Sequence, residues 1–162
     1  MKGTKAILLF LAFLLPILIF LFLKYFGKNE FAVAPLFVTE MPEMQSGCGP
    51  VTLPYHVQDS VLAALPWKQD SLILIVFGQP DKEATTQLKR IAEEVEGGIQ
   101  QKIITEAEPN FVSLKKCTFL LQEPFDLVLV DKKGTIRGQY IASDREDIDR
   151  LLTEAAIILK KY

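Results

Sequence analysis

Three side chains in this sequence carry soft-ligand or redox chemistry: Cys48, Cys117 and His56, the two cysteines and the single histidine of the chain. Two thiols can close a disulfide, exchange with the thiols of a partner, or hold a soft metal together with an imidazole. In an oxidising compartment the plain reading is a structural disulfide that ties an N-terminal extension to the domain behind it. Closing a loop of that length contributes on the order of 3–4 kcal/mol. A redox pair is the alternative. Reactive thiols sit at helix N-termini, where the dipole lowers the thiol pKa, and neither cysteine has a clear helix start beside it. A metal site built on Cys48, His56 and Cys117 would need further ligands from elsewhere, so His56 reads first as a partly exposed structural residue. No catalytic or cofactor-binding set is legible: there is no serine–histidine–acid group, no glycine-rich phosphate loop and no Cys/His zinc spacing. The acid clusters Glu93-Glu94-Glu96 and Asp144-Glu146-Asp147-Asp149 read as solvated helix faces.

The elements around these residues fall into two parts. Residues 6–23, AILLFLAFLLPILIFLFL, form an uncharged apolar run. As a helix it reaches about 27 Å, near the ~30 Å hydrocarbon core of a bilayer. It is apolar all round, unlike an amphipathic soluble helix. Lys24-Tyr25-Phe26-Gly27-Lys28 follows it and makes a poor cleavage site, so the run reads as an uncleaved anchor rather than a signal peptide. Pro16 is a kink that membrane helices tolerate. The expected organisation is a short cytoplasmic tail (1–5), a single-pass anchor (6–24), a linker and N-terminal extension (25–65) and a folded domain (66–162). Lys2 and Lys5 before the run nearly balance Lys24 and Lys28 after it; its N-terminal position favours the N-terminus inside and the domain outside the cytoplasmic membrane, in the periplasm or its equivalent.

Residues 29–162 hold 14 Lys+Arg against 20 Asp+Glu, a balance of −6. That argues against nucleic acid as a partner and against a surface lying on anionic lipid. Gly47-Cys48-Gly49-Pro50 is a turn signal, flanked by extended candidates at 31–39 and 51–57, the second with Pro54 as an edge marker. Leu72-Ile-Leu-Ile-Val-Phe77 reads as a central strand covered on both faces. A helix is predicted from Lys82 to about Glu96, capped by Asp81, with Ala84, Leu88, Ile91, Ala92 and Val95 on one stripe and Gly97-Gly98 at its end. Residues 101–105 read as the parallel strand of a βαβ unit. Residues 106–124 give no clear pattern. Residues 126–130 and 135–140 form a hairpin about Asp131-Lys-Lys-Gly134. A last helix starts at the capping box Ser143-Asp-Arg-Glu146, with Ile148, Leu151, Leu152, Ala155, Ala156 and Leu159 on its apolar stripe and Lys160 and Lys161 at its negative end.

Strand, helix, strand, hairpin, helix is the order of a thioredoxin-like α/β domain, a mixed sheet with flanking helices. The stretch Leu129-Val-Asp-Lys-Lys-Gly-Thr-Ile-Arg-Gly-Gln-Tyr140, followed by Ser143-Asp-Arg-Glu-Asp-Ile-Asp-Arg-Leu-Leu152, resembles the C-terminal part of the Sco/SenC family. These are membrane-anchored, thioredoxin-like copper chaperones of cytochrome oxidase assembly. The anchor and the Leu88-Lys-Arg-Ile91 helix fit as well; the resemblance covers roughly 70–160 and is strongest in 126–160. The family holds copper with a C-x-x-x-C pair just after the first core strand and a histidine before the late strand. Here Gly78-Gln-Pro-Asp-Lys-Glu-Ala84 holds no cysteine, and the histidine position falls near Glu123. A lone carboxylate cannot replace two thiolates and an imidazole for Cu(I). Pro124 stands where such relatives often hold a cis-proline, one residue out of the usual spacing. The resemblance therefore implies a non-catalytic accessory for oxidase or other envelope-complex assembly, with a protein partner and no cofactor. A thiol–disulfide or copper-handling protein using Cys48 and Cys117 is the alternative.

Overall fold

The computed structural model describes residues 2–26, 32–42, 47–67, 72–95 and 98–160, and within the first helix the side chains of residues 3, 5, 10–22 and 24. The chain divides into two units, residues 1–31 and 32–162.

The first unit is helix α1, Lys2–Phe26, with Pro16 inside it and no acidic residue in its first turn. Its described apolar side chains are largely bare; Phe10, Phe13 and Phe20 are each about two-thirds exposed. Among the described residues no helix is long and apolar enough to cross a membrane. The continuously described side chains, 10–22, span only about 20 Å of helix against a ~30 Å hydrocarbon core. Taken alone they do not make the span expected over residues 6–24.

The second unit is a mixed α/β structure. Its elements are α2 (Asp59–Leu62), β1 (Leu72–Phe77), α3 (Lys82–Glu94), β2 (Ile99–Ile104), α4 (Phe111–Ser113) running into a π-helical turn (Leu114–Thr118), β3 (Leu127–Val130), β4 (Ile136–Tyr140) and α5 (Arg145–Leu159). The sheet order is β2-β1-β3-β4. β1 and β2 are parallel, as the βαβ reading requires, and β3 is antiparallel to both β1 and β4. All six residues of β1 are buried, because each face of this central strand meets its own core.

The first core sets Leu72, Leu74 and Val76 of β1 with Ala84, Leu88 and Ile91 of α3 and Ile148, Leu151, Leu152, Ala155 and Ile158 of α5. Arg90 links the two helices, with Nε 2.6 Å from Glu94 Oε1 and Nη1 2.7 Å from Asp149 Oδ1. The Asp81 carboxylate caps α3 by accepting from the Ala84 N–H at 2.8 Å, as the sequence predicts. Two details of the helices differ from expectation. Ala92 and Ala156 are exposed, and Ile158 takes the buried position at the end of α5. The N-cap of α5 is Asp144 rather than Ser143: its Oδ1 accepts from the Glu146 N–H at 2.8 Å. The reciprocal bond of a capping box is not made: the Asp144 N–H donates to Ile141 O at 3.1 Å, and Asp147 Oδ2 instead accepts from the Ile141 N–H at 2.9 Å, which ties the first turn of α5 to the end of β4. Gly97 and Lys161 lie outside the described residues.

The second core joins Ile73, Ile75 and Phe77 of β1 and Val128, Val130 and Ile136 of the hairpin to Phe119, Leu120 and Leu121 and to Tyr55, Val57 and Leu62 of the extension. The extended candidates at 31–39 and 51–57 do not become strands over their described residues. They are held by single long-range bonds instead: Leu36 N–H to Ile136 O at 2.9 Å, Tyr55 N–H to Phe37 O at 2.9 Å and Val57 N–H to Gly134 O at 2.8 Å. Phe37 adopts φ +57°, a left-handed conformation that interrupts any strand there. The hairpin turn explains the last of these bonds. Asp131 Oδ1 accepts from the Lys133 and Thr135 N–H groups at 2.9 and 3.0 Å, and Gly134 sits at φ +76°, which only glycine adopts freely. A Cβ at Gly134 would also press on the Val57 backbone.

Candidate functional site

Cys48 and Cys117 form a disulfide, with Cα atoms 5.2 Å apart, within the range that a disulfide spans. Cys48 arrives on the Gly47–Pro50 turn of the extension. Cys117 arrives on the π-helical turn that crosses the second face between β2 and β3. Beside the bridge, Tyr55 Oη donates to Thr118 O at 2.6 Å. The bridge and this bond fasten the extension to the same turn, and the burial of Tyr55 pushes its phenol pKa upward.

The disulfide is half-buried and forms the shared wall of two open grooves. One, of about 770 Å³, is lined by residues 106–113, Lys116 and both cysteines; Val112 stands 61% exposed beside it. The other, of about 460 Å³, is lined by residues 49–52, 54–56, Ser113 and both cysteines. His56 is in this second groove, exposed, with Nδ1 3.1 Å from Pro54 O. The structure thus brings the two predicted cysteines into a bond and the histidine to the same groove. Among the described residues it assembles no group of three His, Cys, Asp or Glu side chains able to hold a metal ion. Cys117 lies at the C-terminal, negative end of the helical stretch 111–118. That end disfavours a thiolate, the reverse of the setting that activates one.

The end of the sheet where β1 runs into α3 is built from other chemistry. After Phe77, Gly78 at φ +93° turns the chain through Gln79 and Pro80 to the capping residue Asp81. Facing that end, the loop before β3 holds Glu123, whose carboxylate lies 2.9 Å from Lys115 Nζ. The Glu123–Pro124 peptide bond is cis, as is Leu53–Pro54. Asp126 Oδ1 accepts from the Ala142 N–H at 2.7 Å. Burial raises the Asp126 carboxyl pKa; the charge of Asp81 adds to the rise, and the amide bond and Lys115 oppose it. Among the described residues this end offers the carboxylates of Asp81, Glu123 and Asp126 and the ammonium of Lys115, with no thiol or imidazole.

Sequence reasoning did not find a third cluster. Tyr140 is fully buried, its hydroxyl donates to Glu154 Oε2 at 2.5 Å, and the Arg150 guanidinium lies 4.8 Å over its ring. Burial, then the bond to Glu154, holds the Tyr140 phenol well above its usual range. The cluster links β4 to α5 and fixes the packing of the last helix. Arg150 and Glu154 stand four residues apart on α5, but Tyr140 joins them through the β4–α5 turn, which no local pattern signals.

Compared with known proteins, the chain matches no protein-family model and none of the curated proteins.

Proposed function

We propose that the chain is a membrane-anchored, Sco-like protein whose thioredoxin-like domain lies outside the cytoplasm and acts by binding a protein partner, as a non-catalytic accessory in the assembly of cytochrome oxidase or another envelope complex. The strand order β2-β1-β3-β4, with a parallel βαβ unit, an antiparallel hairpin and a closing helix, supports the thioredoxin-like reading. The apolar run of residues 6–23 inside the 25-residue helix α1 supports the anchor. The bare phenylalanines of that helix suit lipid as their surroundings.

The observation that carries the accessory reading is the chemistry at the end of β1. The family's copper needs two thiolates and an imidazole there. This chain has Gly78, Gln79, Pro80 and Asp81 after the strand, and a Glu123 already paired with Lys115. These residues do not fit Cu(I), and both cysteines are committed to a disulfide. The testing experiment is a Cu(I) titration of the detergent-solubilised chain, as isolated and after reduction. The expected result is no stoichiometric binding in either state. Tight one-to-one binding after reduction would overturn the accessory reading in favour of copper handling through Cys48, Cys117 and His56. Carbonate extraction of membranes tests the anchor, which predicts that the chain stays in the pellet.

A further inference from the structure

The two outer strands of the sheet are treated differently. The open side of β4 is covered: Leu36 N–H donates to Ile136 O at 2.9 Å, and Arg150 Nη2 donates to Gln139 O at 3.1 Å. The open side of β2 has no such cover among the described residues.

The ladder with β1 fixes which groups of β2 point outward. Leu72 N–H donates to Gly98 O at 2.7 Å and Gly78 N–H donates to Ile104 O at 2.9 Å, and the residues between pair in step from Leu72↔Ile99 to Phe77↔Ile104. Parallel ladders use alternate residues of each strand. The backbone of residues 100, 102 and 104 therefore faces β1, and that of Ile99, Gln101 and Ile103 faces away. The outward edge is six residues long, has no proline and carries one charge, Lys102. Ile103 is 43% exposed on it. Isolated domains blunt such an edge with charges, prolines or a covering segment.

We propose that the edge of β2 is completed by β2 of a second copy of this chain, antiparallel and centred on Gln101. The argument for a second copy is the chemistry of the outward residues: apolar Ile99 and Ile103 stand either side of uncharged Gln101, and the one charge of the strand, Lys102, lies off that centre. A two-fold axis through Gln101 sets Ile103 against Ile99 of the partner subunit and Gln101 against Gln101 of the partner subunit, which is the isologous match that a two-fold dimer needs. In that register Lys102 faces Gln100 of the partner subunit, so like charges do not meet across the strands. Sliding the pairing by two residues toward the C-terminal end sets Lys102 against its own copy; sliding it the other way leaves Ile103 unpaired. The two four-stranded sheets become one continuous sheet. This interface is independent of the accessory reading and of the disulfide.

The test uses the full chain in detergent micelles under mild oxidation, comparing Gln101→Cys with Lys102→Cys. Directly opposed, hydrogen-bonded residues have Cα atoms about 5.5 Å apart, within disulfide reach, whereas the two copies of residue 102 are diagonal neighbours about 8 Å apart. The expected result is a disulfide-linked dimer for Gln101→Cys, at least severalfold above Lys102→Cys. Adding Ile103→Pro to Gln101→Cys removes an outward N–H that makes no bond within the fold, and should bring cross-linking down to the Lys102→Cys level with the circular dichroism unchanged. Equal cross-linking at the two positions, none at Gln101→Cys, or a folded Ile103→Pro variant that cross-links undiminished would overturn the proposal. The comparison of the two cysteine positions stands even where Ile103→Pro fails to fold.

Discussion

One face of the sheet carries α3 and α5, the helices that follow β1 and β4 directly in the chain; the other carries residues 36–42 and 47–67, together with the turn 111–121. The first face is assembled from neighbours in sequence, each helix presenting an apolar stripe at helical spacing. The second is assembled from segments separated by up to a hundred residues, with no regular element longer than five residues, and a covalent bridge joins Cys48 to Cys117 across it. Periodic helices can bury one stripe and satisfy their own backbone. Irregular segments cannot, so their amides and carbonyls seek partners one at a time, as Leu36, Tyr55 and Val57 do.

The two faces should therefore fail differently, and Trp67 can tell them apart. It is the only tryptophan of the chain, it packs on the second face, and its indole Nε1 donates to Leu62 O at 2.7 Å. The largest effect is expected on the first face. Leu151→Ala empties a fully buried site and should cost about 3–5 kcal/mol, with Trp67 fluorescence and far-ultraviolet circular dichroism lost together on heating. Next comes the double Cys48→Ser, Cys117→Ser variant, expected to lose about 3–4 kcal/mol of loop constraint, with the Trp67 transition moving to lower temperature than the helical signal. Tyr55→Phe removes the hydroxyl bond to Thr118 and should cost about 1 kcal/mol, read in the same Trp67 transition; coincident shifts in both signals would blur the distinction between the faces.

The smallest effect concerns neither face but the loop end between them. Burial raises the Asp126 carboxyl pKa, so the folded chain holds this proton at a pH where the unfolded chain has released it. Stability from this group is full below the ordinary carboxylate pKa and falls as pH rises from there through the raised value. Asp126→Asn keeps an oxygen for the Ala142 N–H and removes the ionisation. It should melt slightly higher at neutral pH, and the gain should shrink toward pH 4. A gain that is the same at both pH values would mean that ionisation of Asp126 is not what costs stability.

The first face was legible in the sequence. The run LILIVF could only be a strand buried on both sides, Asp81 stood where an N-cap belongs, and the tight turn at Asp131 to Gly134 predicted the hairpin. Its errors were local: the strand expected over 101–105 runs from Ile99 to Ile104, Ala92 and Ala156 are exposed, and the N-cap of α5 is Asp144 where Ser143 fits the capping spacing. The second face was not legible, because its contacts are long-range and its backbone departs from regular conformations, at Phe37 and at Leu120 with φ +51°. The stretch 106–124 showed no period because it folds as a three-residue helix and a π turn, too short to leave one. Of the site, the disulfide was the plain reading of the two cysteines, but a redox pair and metal ligands stayed open until the fold brought the Cys48 and Cys117 Cα atoms to 5.2 Å. The two grooves beside the bridge, the Lys115–Glu123 pair and the Tyr140–Glu154 bond were not legible, since each depends on where distant loops meet.

Hydrogen exchange of the full chain, wild type against the double Cys48→Ser, Cys117→Ser variant, tests most directly whether the cysteines are a staple for the second face rather than a reactive centre. The staple predicts that amides of residues 47–67 and 111–121 exchange much faster in the variant, while β1, α3 and α5 keep their protection. Unchanged exchange at 47–67, or a uniform loss across both faces, would contradict it.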